Sequence, residues 1–396
     1  PDGAGQFDRM DEAFDEAVAN GQFAGAVVLV QQHGELEWLA AYGSADVGTG
    51  RAIEVDDVFR IASMTKPVTS AAVLMLYEDG RIDLDDPVGK YLPAFDKRFD
   101  VIEKTEDGHR LLSADGPITI RQLLTHTSGL SYGFMNAQPL TTMYHEAGIG
   151  DGFQGETVPL EEFVKRLAAM PLLHEPGEAF SYGLSTDVLG RLVEVVSGRS
   201  FDVFLDERLF EPLGMNETWF EVPDRFEGRM PAVHRPGPDG KLEVVPPGLI
   251  EDGVTRYSVD FPYDDVTAFP SGGAGLSTTA EDYARFLQMI LNGGTLDGTR
   301  VLDPETVNLM LTDQLSTLPG GAFGNPGFSL GLALSTRPRD GEDTPPGRLG
   351  WSGFFNTLMW IDPEKELLAI LMTQHYPYGV TMLGQFPVLV YDAIED

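Results

Sequence analysis

Apolar positions near the start of the chain recur with the period of an α-helix, which predicts an amphipathic first helix. The positions on its apolar side are Phe7, Met10, Phe14, Ala17 and Val18. Residues 23–32 and 35–43 then show the apolar patterns of strands, and His33-Gly34 between them is typical of a turn. The chain therefore predicts a helix followed by a strand pair.

The next apolar segment, residues 67–77, has almost no polar face. A helix of this kind is buried on all sides, so the segment predicts a helix at the centre of the protein. Pro67 fits such a helix only in its first turn. Gly80 is a typical residue at which it would end.

The middle of the chain favours helices that are interrupted by Gly and Pro. The predicted helical segments are residues 120–126, 160–170, 186–197 and 201–210. Two stretches differ from them. Residues 97–117 are polar and rich in turn residues, and residues 225–265 are rich in Pro and Gly, which predicts an extended loop region.

Strand patterns return after Ser271. Residues 281–291 predict a helix with Tyr283, Phe286, Leu287 and Ile290 on one stripe, and residues 381–394 predict a last helix. The predicted strands between them are residues 328–335, 347–361 and 367–374.

Strand-rich ends thus flank a helical middle. The simplest architecture is an α+β fold with one antiparallel sheet built from both ends of the chain and covered by the terminal helices. We expect residues 1–82 and 271–396 to form this α/β domain, and residues 83–270 to form an inserted, mostly helical domain.

Composition narrows the classes of function. With 396 residues and 42% apolar residues, the chain can bury a full core. Its net charge of −35 argues against nucleic acid and anionic membranes as partners, because both carry phosphate charge. The acidic residues are spread along the chain. We interpret them as a solvated surface, and the more specific interpretation is adaptation to high salt.

The absence of cysteine excludes disulfides and a thiolate nucleophile. The seven histidines include no His-x-x-x-His pair, so we expect no metal and no cofactor. No stretch is long and apolar enough to cross a membrane. We expect a soluble protein and favour a cytoplasmic location, while the missing initiator Met leaves a trimmed N-terminus open.

The sequence Ser63-Met64-Thr65-Lys66 opens the predicted central helix and is the one Ser-x-x-Lys in the chain. Residues three apart share a helix face, so a hydroxyl and an amine would lie side by side. Burial and the positive end of the helix dipole both disfavour a charged amine there. A neutral Lys66 could accept the proton of Ser63, which predicts an activated nucleophile.

Two further motifs are candidates for the same site. Tyr182 lies at the entry to a predicted helix and could relay protons to the Ser63–Lys66 pair, although a half-buried tyrosine with an ordinary role fits equally. In Gly350-Trp351-Ser352-Gly353-Phe354, which we predict to be a strand, Gly353 would let a ligand approach the backbone. The N–H that follows it could donate to an oxyanion.

The order of these motifs resembles the superfamily of serine β-lactamases and penicillin-binding proteins, and is most similar to the family VIII carboxylesterases. The resemblance covers nearly the whole chain. It implies that Ser63 is the nucleophile, that Lys66 and Tyr182 share proton transfer, and that the N–H groups of Ser63 and Phe354 form the oxyanion hole. The motifs that extend the resemblance are residues 82–88, 123–130 and 272–279.

Two departures from the penicillin-recognising enzymes favour neutral esters. Those enzymes have Tyr-x-Asn where this chain has Tyr182-Gly183-Leu184. Leu184 therefore lacks the side-chain amide with which the Asn forms hydrogen bonds. They have Lys-Thr-Gly where this chain has Trp351-Ser352-Gly353, and Trp351 cannot pair with a substrate carboxylate. We expect Trp351, Ser352 and Gly353 to bind substrate, with Tyr132 and Phe134 as further pocket walls, or alternatively as core residues.

A competing motif is Gly327-Phe328-Ser329-Leu330-Gly331, which matches the nucleophile elbow Gly-x-Ser-x-Gly. That elbow needs a helix directly after the serine, and the residues following Ser329 favour a strand. The sequence therefore favours Ser63 over Ser329.

We predict a serine carboxylesterase that hydrolyses neutral esters of short-to-medium acyl chains through an acyl-Ser63 intermediate. Three alternatives stay open: a β-lactamase or peptidase, an acyltransferase, and a catalytically silent binding protein on the same scaffold. The predicted partner is a small-molecule ester, and the sequence leaves the oligomeric state open.

Overall fold

The structure, a computed structural model, describes residues 5–154, 158–260, 269–323, 327–336 and 344–395. Its α-helices are α1 (Asp8–Ala19), α2 (Thr65–Glu78), α3 (Ile120–Leu124), α4 (Leu140–Glu146), α5 (Leu160–Ala168), α6 (Ser185–Ser197), α7 (Phe201–Leu205), α8 (Glu211–Leu213), α9 (Ala280–Leu291), α10 (Pro304–Leu311) and α11 (Met382–Glu395). A π-helical turn, Asp206–Phe210, joins α7 to α8.

The strands are short outside the central sheet. They are β1 (Gly25–Gln32), β2 (Glu35–Asp46), β3 (Arg51–Ala52), β4 (Phe59–Arg60), β5 (Asp100–Thr105), β6 (Gly108–Ser113), β7 (Thr218–Trp219), β8 (His234–Pro236), β9 (Leu242–Val244), β10 (Leu249–Asp252), β11 (Thr255–Ser258), β12 (Ser277–Thr278), β13 (Thr295–Leu296), β14 (Thr299–Arg300), β15 (Gly327–Phe328), β16 (Ala333–Leu334), β17 (Leu349–Ser352), β18 (Leu358–Asp362) and β19 (Leu367–Thr373).

The central sheet has eight strands in the order β15-β16-β17-β18-β19-β1-β2-β3. Neighbouring strands are antiparallel, and at the centre Val28 of β1 pairs with Leu371 of β19 on one side and Ala40 of β2 on the other. The strands come from the first and last parts of the chain. The predicted α+β fold with a sheet built from both ends is therefore confirmed.

Helices cover both faces of this sheet. Side chains alternate along a strand, so Val28 of β1 packs in the cluster that contains Phe14 of α1 and Phe386 of α11. Leu29, the next residue, packs in the larger cluster with residues of α2 and α9. The sheet is thus buried on both sides. On this second face α9 packs against β1 and β19, while α2 packs against α6 and α10.

The middle of the chain contains more strands than its pattern predicted. Residues 97–117 include the hairpin β5–β6, and the predicted loop 225–265 includes the hairpins β8–β9 and β10–β11, with residues 261–265 outside the described part. Short polar strands of this kind lack the apolar alternation by which a strand is predicted. The boundaries predicted for the inserted domain stay a prediction.

Two of the predicted strands are in fact hairpins. Residues 328–335 form β15 and β16, and residues 347–361 form β17 and β18 with a turn between them. The second correction matters for the site, because it moves Gly353 and Phe354 from a strand into a turn.

In the described part of the chain, no helix is long and apolar enough to cross a membrane.

Candidate active site

Ser63 lies directly before the buried central helix. A 3₁₀ turn, Ala62–Met64, precedes α2, so the α-helix begins at Thr65 and not at Ser63 as the pattern predicted. Ala62 has a φ of 41°, a left-handed conformation that is unusual for a residue with a side chain. This turn brings the Ser63 hydroxyl next to the first turn of α2.

Lys66 is almost completely buried, and its Nζ has two hydrogen-bond partners. Nζ is 3.1 Å from the Oγ of Ser63 and 2.7 Å from the carbonyl oxygen of Gly273. It also lies over two aromatic rings, 4.7 Å from the centroid of Tyr182 and 5.0 Å from that of Tyr132. The amine is therefore fixed beside the Ser63 hydroxyl.

Tyr182 completes a group of three side chains. Its Oη is 2.7 Å from the Oγ of Ser63, and its ring is nearly buried. The residue lies just before α6, and α6 packs beside α2. The structure thus brings together the three residues that the sequence predicted as catalytic, Ser63, Lys66 and Tyr182.

Burial sets the protonation states of the two partners of Ser63. It lowers the pKa of Lys66 to about 7, with the negative charge of Asp187 acting in the opposite direction. It raises the pKa of the Tyr182 phenol well above its ordinary value. A protonated Tyr182 donates to the Ser63 Oγ, which leaves the Ser63 hydroxyl free to donate to a neutral Lys66.

The second half of the predicted oxyanion hole lies in the turn between β17 and β18. The N–H of Gly353 donates to Thr357 O at 2.8 Å and closes the turn. A Cβ on Gly353 would lie 2.4 Å from the carbonyl oxygen of Ile61, so only glycine allows the turn to reach the chain before Ser63. Phe354 is the next residue, so its N–H belongs to the turn that contacts Ile61.

Other hydrogen bonds hold the same turn from the side of β19. Thr373 Oγ1 donates to Phe355 O at 2.8 Å, and the amide of Asn356 donates to His375 O at 2.8 Å. The Phe354 backbone is thus fixed by neighbours on both sides. That rigidity suits a group that must point at a developing charge.

The predicted pocket residues lie around the three catalytic candidates. The ring of Trp351 is 5.4 Å from that of Tyr182, and the ring of Tyr132 is 5.1 Å from it. Phe134 stacks on Tyr132 and lies 6.1 Å from Phe354. The hydroxyls of Ser352 and Tyr378 form a hydrogen bond, with their oxygens 2.9 Å apart.

Several aromatic residues near the site were not predicted. Phe323, 61% exposed, has its ring 5.7 Å from that of Tyr182, and Phe153 lies 4.6 Å from Phe354. Fully buried His126 packs against Tyr182 at 5.0 Å. They come from distant parts of the chain. His126 lies in the motif 123–130, whereas no sequence pattern indicated Phe153 or Phe323.

Ser329, the competing nucleophile, is placed differently. It lies between the short strands β15 and β16, is completely buried, and donates its hydroxyl to Leu332 O at 3.2 Å. No helix follows it, because the next element is β16. The nucleophile-elbow interpretation is therefore wrong on geometry.

Comparison with known proteins shows the family of the chain. Residues 10–384 match the beta-lactamase family. This match spans nearly the whole chain, and the chain belongs to that family. The predicted relationship to the serine β-lactamase and penicillin-binding-protein superfamily is confirmed.

Some of the similar proteins are named as enzymes that hydrolyse esters or transfer acyl groups. The chain is 33% identical over 404 residues to Esterase EstB of Burkholderia gladioli, covering 98% of this chain and 94% of the relative. It is 30% identical over 404 residues to monacolin J acid methylbutanoyltransferase of Aspergillus terreus, covering 93% and 91%. The solved structure of EstCE1, a hydrolase with promiscuous acyltransferase activity, superposes with a TM-score of 0.83 at 27% identity, covering 100% of this chain and 99% of that one.

Proposed function

We propose that the protein is a serine carboxylesterase that hydrolyses neutral esters of short-to-medium acyl chains through an acyl-Ser63 intermediate. One observation carries the proposal. The Ser63 hydroxyl contacts both a buried amine and a buried phenol, at 3.1 Å and 2.7 Å. This arrangement activates a hydroxyl for attack on a carbonyl carbon.

Acylation begins with the neutral form of Lys66. As the Ser63 Oγ bonds to the carbonyl carbon of the ester, the Ser63 proton moves to Lys66 Nζ. The carbonyl oxygen becomes negative and accepts hydrogen bonds from the N–H groups of Ser63 and Phe354. The bond to the alcohol then breaks, Tyr182 donates its proton to the departing oxygen, and the lysinium returns a proton to Tyr182.

Deacylation repeats the same steps with water in place of the alcohol. Water loses a proton to the Lys66–Tyr182 pair as it attacks the acyl carbon, and the Ser63 Oγ recovers a proton as it leaves. Lys66 and Tyr182 thus end each turnover as they began it. The scheme uses groups of this chain, the ester and one water molecule.

The surroundings of Ser63 favour a neutral substrate. Trp351 and Leu184 replace the ammonium and the amide with which penicillin-recognising enzymes hold an anion. The aromatic rings of Trp351, Phe134 and Phe354 offer apolar surface for the acyl and alcohol groups. The net charge of −35 also repels an anionic ester.

The direct test is labelling of the nucleophile. A neutral p-nitrophenyl phosphonate should add to the purified protein once, and mass spectrometry should find it on the peptide that contains Ser63. Ser63→Ala should abolish p-nitrophenyl ester turnover, while Ser329→Ala, the matched control, should retain it. Retained turnover in folded Ser63→Ala would refute the proposal.

A second candidate function is acyl transfer to an alcohol, because the acyl-Ser63 intermediate is common to both reactions. The observation in its favour is the set of rings around Tyr182, which can exclude water and stack on an organic acceptor: Trp351 lies 5.4 Å away and Phe323 5.7 Å away. Hydrolysis of a p-nitrophenyl ester in the presence of benzyl alcohol distinguishes the two. Transfer predicts benzyl ester as the main product, whereas an esterase yields mainly free acid.

A further inference from the structure

Asp187 is a fully buried carboxylate in the first turn of α6. Its Oδ1 accepts hydrogen bonds from the Ser271 hydroxyl at 2.6 Å and from the Gly273 N–H at 3.3 Å. The carbonyl oxygen of Gly273 in turn accepts from Lys66 Nζ at 2.7 Å. One residue therefore connects this carboxylate to the amine beside Ser63.

Gly273 allows an unusually close approach of these groups. A Cβ at this position would lie 2.7 Å from Asp187 Oδ2 and 2.8 Å from Tyr132 Oη. Among the described residues, Asp187 Oδ2 accepts no hydrogen bond. A buried carboxylate with one unpartnered oxygen is costly, so its place behind Lys66 calls for a reason.

The other titratable groups that face Lys66 carry no charge at neutral pH. Burial lowers the pKa of His126 well below its usual value and raises the pKa of the Tyr132 and Tyr182 phenols. Burial also raises the pKa of Asp187, but the hydrogen bond from Ser271 and the charge of Lys66 oppose that rise. Asp151, which faces Asp187, has its pKa raised to about 7 by burial.

We propose that Asp187 is a positioning residue whose negative charge stabilises the lysinium ion that forms when Ser63 gives its proton to Lys66. Asp187 exchanges no proton in this role. The Ser63 proton moves to Lys66 and then passes to Tyr182, which has given its own proton to the departing alcohol. The carboxylate compensates the positive charge on Lys66 while that charge exists. Gly273 contacts both side chains: its N–H donates to Asp187, and its carbonyl oxygen accepts from Lys66. This inference rests on the proposed function.

The role predicts a definite direction for the pH dependence. Lys66 acts as a base only when neutral, so kcat/KM falls on the acidic side as Lys66 becomes protonated. A nearby negative charge favours the protonated amine. Removal of that charge therefore moves the acidic limb to lower pH, and it also slows the step that creates the lysinium.

Asp187→Asn is the decisive variant, because an amide keeps the shape and the acceptor for Ser271 but has no charge. We expect its acidic limb of kcat/KM for a p-nitrophenyl ester to move down by about one pH unit, with kcat lower by roughly tenfold at the plateau. Asp187→Glu restores the charge and should return the limb towards its original pH. Asp187→Ser gives the same test if the amide variant does not fold.

Asp151→Asn is the matched control. It removes another buried carboxylate of the same region, one that accepts from Gly133 N–H at 2.6 Å and not from Gly273. The acidic limb of its kcat/KM profile should stay at the pH of the wild-type protein. An active Asp187→Asn enzyme with an unmoved limb would overturn the role of Asp187, whereas a wild-type protein without esterase activity would instead overturn the proposed function.

Discussion

The Oη of Tyr182 lies 2.7 Å from the Oγ of Ser63, although 119 residues separate them in the sequence. Ser63 belongs to the turn before α2, and Tyr182 to the segment before α6. The contact exists because α2 and α6 pack side by side. Lys66 reaches the same oxygen from within α2, so the two groups that we predict to transfer protons contact a single atom.

Lys66 and Tyr182 should behave as one unit. Lys66→Ala and Tyr182→Phe should each lower kcat for a p-nitrophenyl ester by at least ~10²-fold, because each removes one side of the proton path. The double variant should lose little more than the worse single variant, as expected for groups that act jointly. Steady-state kinetics of all four proteins measures this coupling.

Tyr391→Phe is the control for the loss of a buried tyrosine hydroxyl. Its Oη donates to Asp362 at 2.6 Å, in the core cluster on the opposite face of the sheet. It should keep kcat within about twofold of wild type. A double variant whose loss equals the product of the two single losses would mean that Lys66 and Tyr182 act independently.

The pH dependence of kcat/KM should follow Lys66. Burial lowers the pKa of this amine to about 7, so the neutral base is abundant above that pH and scarce below it. Activity should therefore rise through about pH 7 and fall about tenfold per unit below it. A stopped assay with a neutral ester between pH 5 and 9 measures it, and full activity at about pH 5 would contradict a neutral Lys66 base.

Gly353 should tolerate no side chain. In Gly353→Ala the added Cβ would meet Ile61 O at 2.4 Å and Thr357 Oγ1 at 2.2 Å, so the turn that carries Phe354 must shift. We expect kcat to fall by about 10²-fold, the loss typical of one oxyanion donor. Gly116→Ala is the control, because a Cβ there meets nothing within 4 Å. Equal kcat in the two variants would argue against Phe354 as a donor.

β-Lactams should be poor substrates. The ring of Trp351 packs against that of Tyr182 at 5.4 Å and offers no cation to a lactam carboxylate. A chromogenic cephalosporin should show a kcat/KM at least ~10²-fold below that of a short p-nitrophenyl ester. The same cephalosporin with its carboxylate esterified should react faster than the free acid. Equal rates for the cephalosporin acid and the p-nitrophenyl ester would contradict this specificity.

Salt should maintain or raise the thermal midpoint. The chain has 62 acidic against 27 basic residues, so its surface repels itself, and raising NaCl to ~1 M shortens the screening length to about 3 Å. Surface ion pairs such as Arg9–Asp392 weaken in salt too, but each contributes only about 0–1 kcal/mol. Differential scanning calorimetry measures the outcome.

The control for the salt effect is the same measurement at acidic pH. Near pH ~4.5 many carboxylates lose their charge, so the dependence on NaCl should shrink. A midpoint that falls steadily with NaCl at neutral pH would mean that attractive pairs dominate despite the net charge, and the interpretation as salt adaptation would then be wrong.

Much of the fold could be predicted because the sheet strands and the long helices have strong apolar patterns. The pattern at Phe7, Met10 and Phe14 corresponds to α1, and the apolar segment after Lys66 corresponds to the buried α2. The family was predicted from short motifs and is confirmed. The related proteins also support the predicted esterase activity, whereas the catalytic roles of Ser63, Lys66 and Tyr182 stay predictions.

What the sequence did not predict depends on contacts between distant residues. The sequence predicted a strand at Gly353. The turn found there depends on the close approach of Gly353 to the backbone of Ile61, which is visible only in the folded chain. The proximity of Asp187 to Lys66 could not be foreseen either, since a first-turn acid usually complements the helix dipole. Their link through Gly273 exists only in the folded chain.

The pairing of β1 with β19 has a consequence for folding during synthesis on the ribosome. Residues such as Val28 and Leu371 are neighbours in the sheet but are synthesised far apart in time. The turn that carries Ser63 is synthesised before the helical middle of the chain, while the turn that carries Phe354 and the strand that anchors it are synthesised after it. Because so distant a contact forms late, a nascent chain carries Ser63 before Phe354 exists, and the predicted oxyanion hole can form only after β19 has been synthesised.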